Sequence, residues 1–62
     1  MHITYRDQHW SFDEALTVLQ MLKRVELIPE SVLVIRDGSL LTEDQRLQPG
    51  DRIKIVSVIS GG

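Results

Sequence analysis

"VLVIRDGSLL", residues 32–41, decides how this chain is read. Val32 to Ile35 are apolar and mostly β-branched, a run that suits a pleated, packed surface and predicts a central strand over 32–36. Asp37-Gly38-Ser39 is a hairpin-turn signal, because a tight two-residue turn needs backbone that Asp and Gly adopt cheaply. "SLLT" (39–42) then predicts a short returning strand.

Upstream lies a helical stripe. Val18, Met21, Leu22 and Val25 recur at i, i+3, i+4 and i+7. Two starts compete. Ser11 with Glu14 has the capping-box spacing, and Thr17 is the second candidate cap. Thr17 is preferred, because Trp10 and Phe12 alternate as a strand would. Lys23 and Arg24 suit a helix C-terminus, and Pro29 blocks continuation. Further upstream, "HITYR" and "QHWSF" alternate and predict a hairpin over 2–12, with Asp7 and Gln8 at its turn.

Downstream, "EDQRLQPGD" (43–51) reads as a connection turned by Pro49 and Gly50, and "RIKIVSV" (52–58) as the last strand. The order is ββαβββ, an α+β arrangement with a mixed sheet of four to five strands packed on one helix. Leu33, Ile35, Ile53 and Ile55 are expected to face the helix, with Ile3, Tyr5, Trp10, Leu22 and the rest of the stripe. Val34, Lys54 and Val56 are expected on the opposite face.

Size and composition exclude several classes. The chain has 62 residues, enough for one small domain with a modest core. It is 42% hydrophobic with a net charge of −2, which argues against disorder. Seven Lys and Arg are scattered among nine Asp and Glu, so there is no basic stripe for nucleic acid. No apolar run reaches membrane-spanning length, and "MHITYRDQHW" shows no signal-peptide pattern, so the cytoplasm is the expected location. There are no cysteines, hence no disulfide framework and no thiol nucleophile. His2 and His9 are too few for a structural zinc site, so no metal is expected. Ser11 and Ser60 belong to no Ser-His-Asp set, and the pairs Asp13-Glu14 and Glu43-Asp44 read as solvated loop residues. No catalytic residue is assigned, so no enzymatic activity is expected.

These segments together resemble a β-grasp, ubiquitin-like protein, and more closely the ThiS/MoaD family of prokaryotic sulfur carriers. The resemblance runs through "DQ" (7–8), "TVLQML" (17–22), "VLVIRDGSLL" (32–41), "PGDRIKI" (49–55) and "VISGG" (58–62), in the family's order. Residues 1–58 are then the β-grasp domain, and 59–62 a flexible Gly-Gly tail. The resemblance implies that an E1-like adenylyltransferase, using ATP and Mg²⁺, adenylates the Gly62 carboxylate. Sulfur from a persulfide donor displaces AMP and leaves a thiocarboxylate. A downstream synthase or thiolase takes that sulfur into a thiazole, a thiolated tRNA base or molybdopterin. "ISGG" and "LIPESVLVIRDG" lean toward the thiazole or tRNA-thiolation type. The carrier itself would bind no cofactor.

That chemistry gives the terminal residues a physical reason. Four extended residues, Ile59, Ser60, Gly61 and Gly62, reach about 13 Å. Gly61 and Gly62 lack Cβ atoms and can pass a narrow channel into another protein's active site. Nothing after Gly62 would cover the reactive carboxyl. Pattern and resemblance together make Val34, Val56 and Val58 a docking patch continuous with this tail, with ordinary apolar exposure as the plainer reading. Arg36 and Lys54 are expected to flank the patch and steer an acidic partner. Two other readings stay open: a protein modifier joined to lysines through Gly62, and a plain β-grasp interaction module.

Overall fold

Thr17 is where the chain turns from strand to helix, and the polar groups around it show why. In the structure, a computed structural model that describes residues 1–58, Thr17 Oγ1 accepts from the Gln20 amide at 3.1 Å. Gln20 Oε1 accepts from the Thr17 amide at 2.9 Å, completing a reciprocal capping box at the start of α1 (Val18–Arg24). The next two free helix donors, Val18 and Leu19, reach the carbonyls of Gln45 and Glu43 at 2.9 and 3.1 Å. The N–H groups that a helix start leaves unbonded thus find partners in the 43–45 loop. The preference for Thr17 over Ser11 is borne out, and Ser11 instead ends a strand. Ile59, Ser60, Gly61 and Gly62, expected as the tail, lie outside the described residues.

The helix stops before Pro29 is reached. Glu26 has φ 60°, its amide bonds to the Lys23 carbonyl at 3.2 Å, and the Leu27 amide bonds to Leu22 at 3.0 Å. This is a Schellman stop with glutamate where glycine is usual. Pro29 opens a short 3-10 turn, Pro29–Ser31, that feeds the next strand.

The main sheet holds β1 (His2–Tyr5), β2 (Gln8–Ser11), β4 (Val32–Arg36), β5 (Ser39–Leu40) and β7 (Arg52–Ser57). Their order is β2-β1-β7-β4-β5. β1 and β7 run parallel, and the other pairs are antiparallel, so the sheet is mixed as expected. The β1–β2 turn is Arg6-Asp7, one residue earlier than expected, since Tyr5 pairs with Gln8 and Arg6 takes φ 53°. The β4–β5 turn is Asp37-Gly38, with φ 52° and 79°. Both signs are those of a type I′ hairpin, which matches strand twist.

The stretch read as a plain connection contains a strand. β3 (Leu16–Thr17) and β6 (Arg46–Leu47) form a second, two-stranded antiparallel sheet. It carries Leu16 and Leu47 into the core, and Leu47 is 0% exposed. A two-residue strand has too little alternation to be visible by pattern. Leu16 and Leu47 join Ile3, Ile53, Ile55 and the buried helix stripe. Met1 is buried as well, and its ammonium donates to the Phe12 carbonyl. Tyr5 and Trp10 pack against this cluster while remaining partly exposed.

One expectation about the sheet is overturned. Val34 is 4% exposed and belongs to the core, whereas Leu33 is 40% exposed. The register decides this. Val34 lies opposite Ile55, and Leu33 and Ile35 lie opposite Val56 and Lys54. Directly opposed residues share a face, so the parity of β7, marked by Arg52 and Lys54, carries over to β4. "VLVI" is apolar at both parities and does not reveal its own face.

Candidate functional site

The helix covers one face of the main sheet and leaves the other open. Lys54 and Val56 lie on this open face, where they were expected. Ile35 and Leu33 are their partners on β4, Leu40 sits opposite Ile35 on β5, and Thr4 sits opposite Lys54 on β1. Val58 follows β7 in the same parity. Its amide donates to the Ser31 carbonyl at 3.0 Å, so the chain is held to the sheet up to this residue.

Two regions divide this face along β7. Near its C-terminal end the surface is apolar: Leu33 is 40% and Val58 48% exposed, with Val56 half-buried beside them, while Ile35 and the 62%-exposed Leu40 lie in the same row as Lys54. Near its N-terminal end the surface is cationic. Arg52 and Lys54 stand two residues apart on one strand face, both exposed, beside His2 on β1. A shallow open hollow of about 800 Å³ spans this end, lined in part by His2, Thr4, Ile35, Asp37, Arg52 and Lys54. His2 Nδ1 lies 3.2 Å from Ser11 Oγ, which fixes the imidazole along the edge hairpin.

Arg36 does not flank the patch. It lies opposite Ile53, on the helix side and at the end of the sheet. There its guanidinium donates to the Arg46 carbonyl at 3.0 Å and to Asp51 Oδ2 at 3.1 Å. Its role is to tie the 46–51 loop to the sheet. Asp51 also accepts from the Gln48 amide at 2.9 Å. That backbone bond, opposed by partial desolvation and helped by Arg36, holds the Asp51 carboxyl below its usual value. Asp44 is lowered too, chiefly by the Thr42 hydroxyl at 2.6 Å.

Of the residues expected to dock a partner, the structure therefore brings Lys54, Val56 and Val58 together and moves Val34 and Arg36 to the other side. Leu33, Ile35, Leu40 and Arg52 were missed as members of this face. Arg52 was recoverable from its period-two relation to Lys54; the three on β4 and β5 needed the register. Ile59, Ser60, Gly61 and Gly62 lie outside the described residues. Among the described residues no group of three or more His, Cys, Asp or Glu converges as a metal site. No helix among them is long and apolar enough to cross a membrane.

Among the described residues His2 and Ser11 pair, but no carboxylate is hydrogen-bonded to either to complete an acid, base and nucleophile set. What the arrangement offers is a half-apolar, half-cationic surface leading along one strand toward residues 59–62. Comparison with known proteins agrees with a carrier. The model of the ThiS family matches residues 1–62, the whole chain. No curated protein sequence matches it significantly. The chain belongs to the ThiS family, whose members are small sulfur carriers with a β-grasp fold that work with E1-like activating enzymes and sulfur-transfer partners.

Proposed function

We propose that this member of the ThiS family carries sulfur as a thiocarboxylate on Gly62. A free carboxylate is a poor electrophile, because hydroxide or oxide is a poor leaving group. An E1-like enzyme, supplying ATP and Mg²⁺ in its own active site, joins the Gly62 carboxylate to AMP and releases pyrophosphate. The acyl adenylate is then open to attack by a persulfide sulfur, with AMP leaving. Cleavage of the resulting acyl persulfide by a thiol frees the thiocarboxylate. A second enzyme takes the sulfur from it into a thiazole, a thiolated tRNA base or molybdopterin.

This chain's own residues contribute recognition and delivery. The open-face apolar group of Leu33, Leu40, Val56 and Val58 docks on the activating enzyme. Ile59 to Gly62 then bring the carboxylate to its active site. The observation that supports this reading most is the continuity of that patch with β7, which is anchored through Val58 immediately before the Gly-Gly segment. The absence of cysteine also suits it, since a thiolate in the chain would compete for the activated terminus.

Intact-mass measurement tests the proposal. The protein is incubated with the E1-like enzyme of the same organism, ATP, Mg²⁺ and a persulfide donor. The expected product has one oxygen replaced by sulfur, and the form lacking Gly61-Gly62 remains unchanged while keeping its melting temperature. Failure to form either adenylate or thiocarboxylate on the full chain refutes the assignment.

A further inference from the structure

The cationic end of the open face is not explained by the apolar patch. The chain as a whole carries more acid than base, with a net charge of −2. Arg24 is engaged with Glu14 at 2.6 Å and lies over the Phe12 ring, and Arg36 is engaged with Asp51. Arg52 and Lys54 form no ion pair among the described residues. They stand side by side on the central strand, where two like charges repel, with His2 as neighbour. Asp37, in the β4–β5 turn, is the acidic residue lining the same hollow, while the Asp51 carboxylate before Arg52 is engaged with Arg36.

We infer that Arg52 and Lys54, with His2, form a second docking element that takes an acidic segment of the activating enzyme. The inference rests on the docking role proposed for this face and gives that face a direction. Arg52 is six residues before Val58, which along a strand is roughly 20 Å. The partner must then present carboxylates about that far from the point where it receives the chain after Val58. A purely apolar patch can be approached in several rotations. A patch that is cationic at one end and apolar at the other admits one, the rotation that sends residues 59–62 toward the partner's active site. Long-range attraction between the two charged surfaces also raises the encounter rate, whereas the apolar contacts slow dissociation.

Stopped-flow association with the E1-like enzyme of the same organism separates the two elements. R52E/K54E is compared with L33A/L40A and with the unaltered protein across a salt series. The charge reversal is expected to slow association at least tenfold at roughly 0.05 M salt, with the difference closing near 1 M, where charges are screened within about 3 Å. L33A/L40A is expected to keep the salt slope and to dissociate faster. If R52E/K54E keeps the association rate and the salt slope while L33A/L40A weakens binding, the cationic element is refuted and apolar docking stands. If neither pair changes the kinetics, docking through this face is refuted altogether. Circular dichroism checks that each variant is folded, and R52Q/K54Q replaces the reversal if it is not.

Discussion

Val34 and Leu33 are adjacent in sequence and opposite in role, and truncating each makes the sharpest test of the fold and site together. Val34 is 4% exposed, and Val34→Ala removes two carbons from a packed core. At about 0.8 kcal/mol per buried carbon plus a cavity contribution, the loss is about 2–3 kcal/mol. A 62-residue domain has about 3–9 kcal/mol in all, so this is a large fraction. Leu33 and Leu40 retain 40% and 62% of their surface in water. Their truncation costs the fold only about 1 kcal/mol each, because less was hidden on folding. If a partner covers what remains, L33A/L40A loses about 2–3 kcal/mol of binding, roughly a 30- to 150-fold rise in Kd. Urea unfolding followed by Trp10, the sole tryptophan and partly packed on the core, reads stability. Calorimetric titration with the activating enzyme reads affinity. The expected contrast lies in affinity: V34A is destabilised with Kd within about twofold, whereas L33A/L40A, about 2 kcal/mol less stable in all, binds weakly. A V34A variant that weakens binding more than L33A/L40A, at unchanged stability, would refute the assigned parity of β4.

Three further outcomes follow from the fold. Leu47→Ala empties a fully buried position and should cost about 2–5 kcal/mol, leaving the domain marginal or unfolded in a urea titration; a loss under 1 kcal/mol would mean that β6 is not part of the core. Glu26→Gly relieves a left-handed residue at the helix stop and should raise stability by about 0.5–1 kcal/mol, seen as a melting temperature a few degrees higher; a decrease would contradict the Schellman geometry. Asp51 has a carboxyl held below its usual value, so its contribution is complete above the unfolded-state value of 3.8 and is lost as pH falls through the lower folded-state value. Asp51→Asn should therefore reduce stability at neutral pH and flatten the acid limb of a melting-temperature profile. Parallel profiles for the two proteins would show that the carboxylate contributes nothing.

The features legible in the sequence were those with long or chemically marked patterns. Val18, Met21, Leu22 and Val25 span two helical turns, so their face was plain, and Thr17 before them had the right chemistry for a cap. Arg52-Ile53-Lys54-Ile55 alternates charge with branched carbon and declares which side is wet. Asp37-Gly38 named its own turn. The features that escaped are set by contacts distant in sequence. The face of β4 depends on its register with β7, twenty or so residues away. Leu47 is buried because β6 meets β3, a pairing two residues long. Glu26 adopts a conformation that its side chain disfavours, and the bonds to Lys23 and Leu22 hold it there. The chemistry proposed for Gly62 came from the terminal residues and the family pattern, whereas the surface proposed to serve it needed the register that places Leu33, Ile35 and Leu40 beside Lys54, Val56 and Val58.

The position of β7 between β1 and β4 also has a consequence for how the protein is made. β7 follows both of its partners, β1 and β4, along the chain, and both central pairings require it. A nascent chain can form the β1–β2 and β4–β5 hairpins and the helix early, but isolated hairpins are marginal in water. Closing the parallel β1–β7 pair joins segments about fifty residues apart, a slow and non-local step. A translation product that stalls before Arg52 leaves Ile3 and Val34 uncovered, which makes it a target for proteolysis and aggregation. Folding thereby waits on β7: only chains in which this strand has been delivered become stable molecules, and the same strand leads to the residues proposed here to receive sulfur.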